Sequence, residues 1–87
     1  MCKLYKITGR VQGVFYRASA RDKAQQLGLR GWVKNLPDGR VETFACGDAA
    51  QLGEYAQWLK NGPRLANVTG IEVAASACTQ SEGFEIN

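Results

Sequence analysis

Along this chain the spacing of apolar residues switches between a period of two and a period near 3.6, in an order that few folds accommodate. Residues 3 to 9 (KLYKITG) alternate, with Tyr5 and Ile7 on one face and Leu4, Lys6 and Thr8 on the other, which predicts a half-buried strand. A glycine-punctuated loop, Arg10 to Tyr16, follows. From Arg17 to Leu27 the residues Ala20, Ala24 and Leu27 recur at helical spacing, and Gly28 supplies a stop just beyond the helix end. Gly31 to Leu36 and Arg40 to Cys46 read as two strands around Pro37-Asp38-Gly39, a hairpin turn in which Pro presets φ and Gly tolerates positive φ. Asp48 caps a second helix whose face is Leu52, Tyr55, Ala56 and Leu59, and Gly62-Pro63 ends it. Val68 to Ala74 predicts a fourth strand and Phe84 to Ile86 a short terminal one.

The order β-α-β-β-α-β with a short fifth strand is the split βαβ pattern. It predicts an α+β fold, a ferredoxin-like α/β sandwich, in which an antiparallel sheet carries two helices on one face through right-handed crossovers. The 87 residues read as one domain, 1–87, with no repeat or linker. A chain of this length buries roughly 60% of its unfolded surface, enough for a core without staples. That fold serves enzymes, metal carriers and RNA binders alike, so the site decides the function.

Composition narrows the chemistry. The chain has no His, which removes the commonest general base, the usual catalytic zinc sites and every Ser-His or Cys-His relay. Eleven Lys and Arg stand against eight Asp and Glu, a net +3 scattered along the chain, which favours small anions and gives no tract for nucleic acid. No apolar run approaches the roughly 20 residues that span a bilayer. The opening MCKLYKITGR is broken by Lys3, Lys6 and Arg10, so no secretory leader is expected and a cytoplasmic protein is.

Cys2, Cys46 and Cys78 fall in no CxxC pair, and three thiols cannot build a tetrahedral metal site unaided. They read as structural thiols in a reducing compartment, with no metal expected. Because the first and third strands are neighbours in this fold, and parity sets Cys2 with Leu4 and Cys46 with Phe44 on the outer face, a Cys2–Cys46 disulfide is also within reach. It would close a loop of about 45 residues and stabilise by roughly 3 to 4 kcal/mol if unstrained.

The richest stretch is Gly9-Arg10-Val11-Gln12-Gly13-Val14-Phe15-Tyr16-Arg17. Gly13 lets the backbone fold tightly, so successive N–H groups can converge on one anion, and the helix that follows aims its positive end at the same place. Arg17 adds a planar fork suited to a phosphate or carboxylate. On pattern alone the same stretch also reads as an ordinary connection with a surface Arg. It is neither a Walker loop nor a GxGxxG fingerprint. In the second stretch, Gly31 to Val41, Asn35 shares the inward face of Gly31 and Val33, where an amide needs a polar pocket. A hairpin-flanking Asn bonded to its own turn is the plainer reading there, and Trp32 reads as a packing aromatic.

The run Gly9-Arg10-Val11-Gln12-Gly13-Val14 ending in Arg17, followed by Gly31-Trp32-Val33-Lys34-Asn35 and then Gly39, Val41 and Gly47, resembles the paired signatures of the acylphosphatase family over nearly the whole chain. Tyr16 departs from the Phe or Met usual at its position and brings a hydroxyl that needs a partner. The resemblance implies hydrolysis of acyl phosphates to a carboxylate and inorganic phosphate without metal or cofactor. It places phosphate binding on the backbone of Gln12, Gly13, Val14, Phe15, Tyr16 and Arg17 and on the Arg17 guanidinium, with Arg17 and Asn35 catalytic and the Asn35 amide orienting water. The expected partners are an acyl phosphate and inorganic phosphate, with no nucleic acid, no membrane and a monomeric state. The competing readings are a phosphate- or carbamoyl phosphate-binding regulator that keeps the cradle, and an RNA-binding module using Trp32 and Phe44, although the RNP1 pattern is missing.

Overall fold

In the computed structural model, which describes residues 1–79 and 82–87, the alternation of the first strand becomes β1 (Cys2–Arg10), with Tyr5 and Ile7 fully buried. The other elements are α1 (Tyr16–Gln26), β2 (Arg30–Asn35), β3 (Val41–Cys46), α2 (Ala49–Asn61), β4 (Asn67–Ser76) and β5 (Phe84–Ile86). Helix α1 turns Tyr16, Ala20 and Ala24 inward at four-residue spacing, and its two alanines let it lie close to the sheet. It stops at Gly28, whose φ of 75° takes the left-handed turn that closes a helix. Helix α2 begins with a capping box: the Asp48 carboxylate accepts from Gln51 N while the Gln51 side chain accepts from Asp48 N. Its buried face is Leu52, Tyr55 and Leu59.

The strand order is β4-β1-β3-β2-β5. The four longer strands pair antiparallel, as the pattern predicted. The three-residue β5 instead lies parallel to β2, Gly31 facing Phe84 and Val33 facing Ile86, so the complete sheet is mixed. The chain leaves β4 at one edge and returns to the far edge in the direction of β2. Strand β4 also runs two residues beyond Ala74, because Cys2 at the start of β1 still pairs with Ser76.

One face of the sheet and both helices enclose the core, in which Tyr5, Ile7, Val33, Val41 and Ala45 meet Ala20, Ala24, Leu52, Tyr55 and Leu59. The opposite face carries a smaller cluster of Cys2, Phe44 and Cys46 with Leu4 and Trp32 against it. Beside it Glu42 bridges Lys34 at 3.6 Å and Lys6 at 4.0 Å. In the hairpin between β2 and β3, Arg40 donates to Asp38 through its main-chain N–H and its Nε. That N–H, foremost, holds the Asp38 carboxyl below its ordinary value. No helix among the described residues is long and apolar enough to cross a membrane.

The buried polar atoms of the core differ in how well they are satisfied. Thr43 Oγ1 donates to Trp32 O at 2.9 Å, so at the 2.8 Å contact with Tyr55 OH the phenol must be the donor. Tyr5 OH, stacked edge-on beside the Tyr55 ring, has no partner among the described residues. Burial raises the pKa of both phenols, so both are neutral at physiological pH. Thr43→Val, which orphans the Tyr55 donor, is therefore expected to cost about 1–3 kcal/mol. Tyr5→Phe should leave stability unchanged or raise it. Urea unfolding of the two variants checks both signs.

Candidate active site

Val11 and Val14 are 1% and 3% exposed and anchor the connection between β1 and α1 in the core. Between and beyond them the backbone turns sharply, with positive φ at Gly13 (74°) and again at Phe15 (63°). For a residue with a side chain, the left-handed conformation at Phe15 costs on the order of 1–2 kcal/mol. Alternating turns of this kind point consecutive N–H groups into one concavity. Among the described residues, the N–H groups of Gln12, Gly13, Val14 and Phe15 find no main-chain acceptor. Phe15 is also the N-cap of α1, offers no capping side chain, and no acidic residue follows in the first turn. The positive end of the helix therefore opens, uncompensated, onto the same loop.

Two side chains of the loop hold it in place. The Gln12 amide donates to Leu36 O at 2.9 Å and to Arg40 O at 3.0 Å, and so ties the loop to the hairpin that follows Asn35. The Tyr16 hydroxyl, whose need for a partner followed from the sequence, donates to Leu59 O at 2.7 Å. That carbonyl lies in the last turn of α2, and the residue four positions on is Pro63, which has no N–H to give it. Burial, with a smaller contribution from Tyr55, pushes the Tyr16 pKa far above its ordinary value, so the donor keeps its proton.

Arg17 projects from the first turn of α1, and its guanidinium donates to Asn87 O at 3.3 Å, just past β5. Asn35 ends β2 opposite Val41 on the inward face, as strand parity requires. Its Oδ1 is buried with no protein partner among the described residues. A buried amide oxygen left so costs about 1–3 kcal/mol unless something donates to it. Gly13, Phe15, Tyr16, Arg17 and Asn35 all line one cavity of about 280 Å³. Of the expected site residues, Gln12 and Val14 are not among those that line it: Gln12 turns its side chain to the hairpin and Val14 buries its own in the core. Ile86 of β5 and the Phe15 ring, 75% exposed, supply an apolar lip that the sequence did not single out.

A wider hollow of about 540 Å³ beside Trp58 contains none of the expected site residues. The aromatic platform of the RNA-binding reading is not available either: Phe44 is 4% exposed and stacked against Trp32 at 5.9 Å.

A family model described as Acylphosphatase matches residues 3–86. An acylphosphatase of Methylococcus capsulatus is 58% identical over 73 residues, 84% of this chain and 79% of that one. One of Alkalilimnicola ehrlichii is 50% identical over 82 residues, covering 94% and 92%. The solved structure of an acylphosphatase from Coxiella burnetii superposes with a TM-score of 0.95 at 38% identity, covering 99% of this chain and 90% of that one.

The Gln12 brace generates a graded expectation. Gln12→Ala removes both bonds to the hairpin and should lower turnover about 10- to 100-fold by letting the loop drift relative to Asn35. Gln12→Glu sets a carboxylate against two carbonyl oxygens and should be worse than Ala in both turnover and melting temperature. Steady-state rates and thermal melts of the two variants test the order.

Proposed function

Because this chain belongs to the acylphosphatase family, hydrolases of acyl phosphates, we propose that it performs that hydrolysis by substrate-assisted, in-line attack of water on phosphorus without a metal ion. The observation that carries this reading is that Asn35, whose buried Oδ1 has no protein partner among the described residues, lines the same cavity as Arg17 and the loop. A phosphoryl group seated in the loop takes its N–H groups and the positive end of α1, while the Arg17 fork grips a further pair of oxygens. Asn35 Oδ1 then accepts a hydrogen from a water and aims its lone pair at phosphorus, opposite the acyl oxygen.

The electron count closes without any protein base. The water oxygen forms the new bond to phosphorus, the bond from phosphorus to the acyl oxygen breaks, and its electron pair leaves with the carboxylate. The water's proton passes to an oxygen of the phosphoryl group itself, since an amide does not accept a proton at neutral pH and the chain has no His. For a reactive anhydride with a loose transition state, positioning and charge stabilisation supply most of the acceleration. The reading includes a monomer acting in the cytoplasm on small acyl phosphates, with no nucleic acid or membrane partner.

Separate expectations attach to the two side chains. Arg17→Gln should lose phosphate affinity and turnover together, because the fork acts in ground and transition states alike. Asn35→Ala should keep phosphate affinity while turnover falls about 100-fold or more. Benzoyl phosphate hydrolysis, with inorganic phosphate as competitive inhibitor, measures both. An Asn35→Ala variant of normal turnover would remove the water-orienting role, and chelator-sensitive activity in the parent would remove the metal-free route.

A further inference from the structure

The helix-free face of the sheet gathers all three cysteines at one end of β1. Cys2 and Cys46 are direct partners across β1 and β3, with Cα atoms 4.1 Å apart. Cys78 lies two residues past the end of β4 and brings its sulfur back to the same point, its Cα 5.3 Å from that of Cys2. The three sulfurs lie within 4.8 Å of one another. Cys2 Sγ stands within bonding reach of both others, yet one sulfur can make only one disulfide. Either pairing leaves a third sulfur beside the bond. A cation held by all three is the arrangement that uses every ligand present.

We propose that Cys2, Cys46 and Cys78 form a three-thiolate binding site for a soft d10 cation, cuprous ion in particular. The donor set is sulfur alone, which disfavours magnesium and calcium, and the chain has no His to complete the tetrahedron that zinc prefers. Three thiolates around a monovalent copper satisfy it in a plane. Cys2 and Cys46 are each 4% exposed and rest against Phe44, with Leu4 and Trp32 packed on the cluster, so the sulfurs have an apolar floor. Cys78 is exposed and leaves one side open for the ion to enter. Arg30, the cross-strand neighbour of Cys46 on the same face, offsets part of the charge of the thiolates. On binding, three thiols release three protons to solvent and the copper keeps its oxidation state.

The sequence counted three thiols as too few for a tetrahedral site, which holds, but it did not place Cys78 beside the other two. That juxtaposition comes from β4 running on to Ser76 opposite Cys2. The cluster sits at the start of β1, whereas the phosphate loop leaves its other end, roughly 25 Å away by the rise of a nine-residue strand. Copper binding and acyl phosphate hydrolysis are therefore independent readouts.

The test uses the whole protein, reduced and kept free of oxygen, titrated with cuprous ion held by the coloured chelator bicinchoninate. The parent should withdraw one equivalent, protect all three cysteines from a thiol reagent, and show a sulfur-only shell by X-ray absorption. Cys78→Ser, a change at an exposed position, should weaken binding at least about 100-fold while its benzoyl phosphate hydrolysis stays at the parent rate. Failure of the parent to take copper from the chelator overturns the proposal. So does a Cys78→Ser variant that takes it equally well, which would leave a two-sulfur pair.

Discussion

Four consecutive main-chain N–H groups, those of Gln12 to Phe15, without main-chain acceptors among the described residues are a liability that the rest of this small molecule is arranged to hold in place. An open loop would close on itself or collapse onto the helix start. Here Val11 and Val14 pin it in the core, the Gln12 amide bolts it to the hairpin, and Tyr16 anchors its far end to the last turn of α2. The left-handed backbone at Phe15 persists because these contacts over-determine it. Tyr16 serves two ends at once, since the carbonyl it caps is one that Pro63 cannot satisfy.

The same anchors relate the loop to Asn35. The Gln12 bonds reach Leu36 O and Arg40 O, at the two ends of the turn that follows β2, so the loop proposed to receive a phosphoryl group is tied to the turn next to Asn35. Arg17 is joined to the other side by Asn87, just beyond β5. With no imidazole in the chain and no Asp or Glu among the residues lining this cavity, the proposed chemistry relies on placement and fixed dipoles, which the bracing supports.

Most of the architecture was readable from residue order because each long element announces itself locally. Tyr5 and Ile7 alternate, Leu52, Tyr55 and Leu59 repeat on one helical face, Asp48 and Gly28 mark ends, and strand parity alone put Asn35 inward. What escaped depends on tertiary partners. A three-residue strand such as Phe84–Ile86 carries no signal for its parallel pairing with β2. The use of the Gln12 side chain as a brace, the left-handed Phe15 and the lip formed by Ile86 all arise from segments distant in sequence meeting around the loop. Cys78 joined Cys2 and Cys46 for a similar reason: its position follows from how far β4 pairs along β1.

For the loop, Arg17 and Asn35 to act as proposed, water must reach phosphorus and not the acyl carbon. Hydrolysis of benzoyl phosphate in ¹⁸O-water, with both products analysed by mass spectrometry, reads this directly. The label should appear in inorganic phosphate alone; label in the benzoate would mean attack at the carbonyl and contradict the role given to the loop, Arg17 and Asn35.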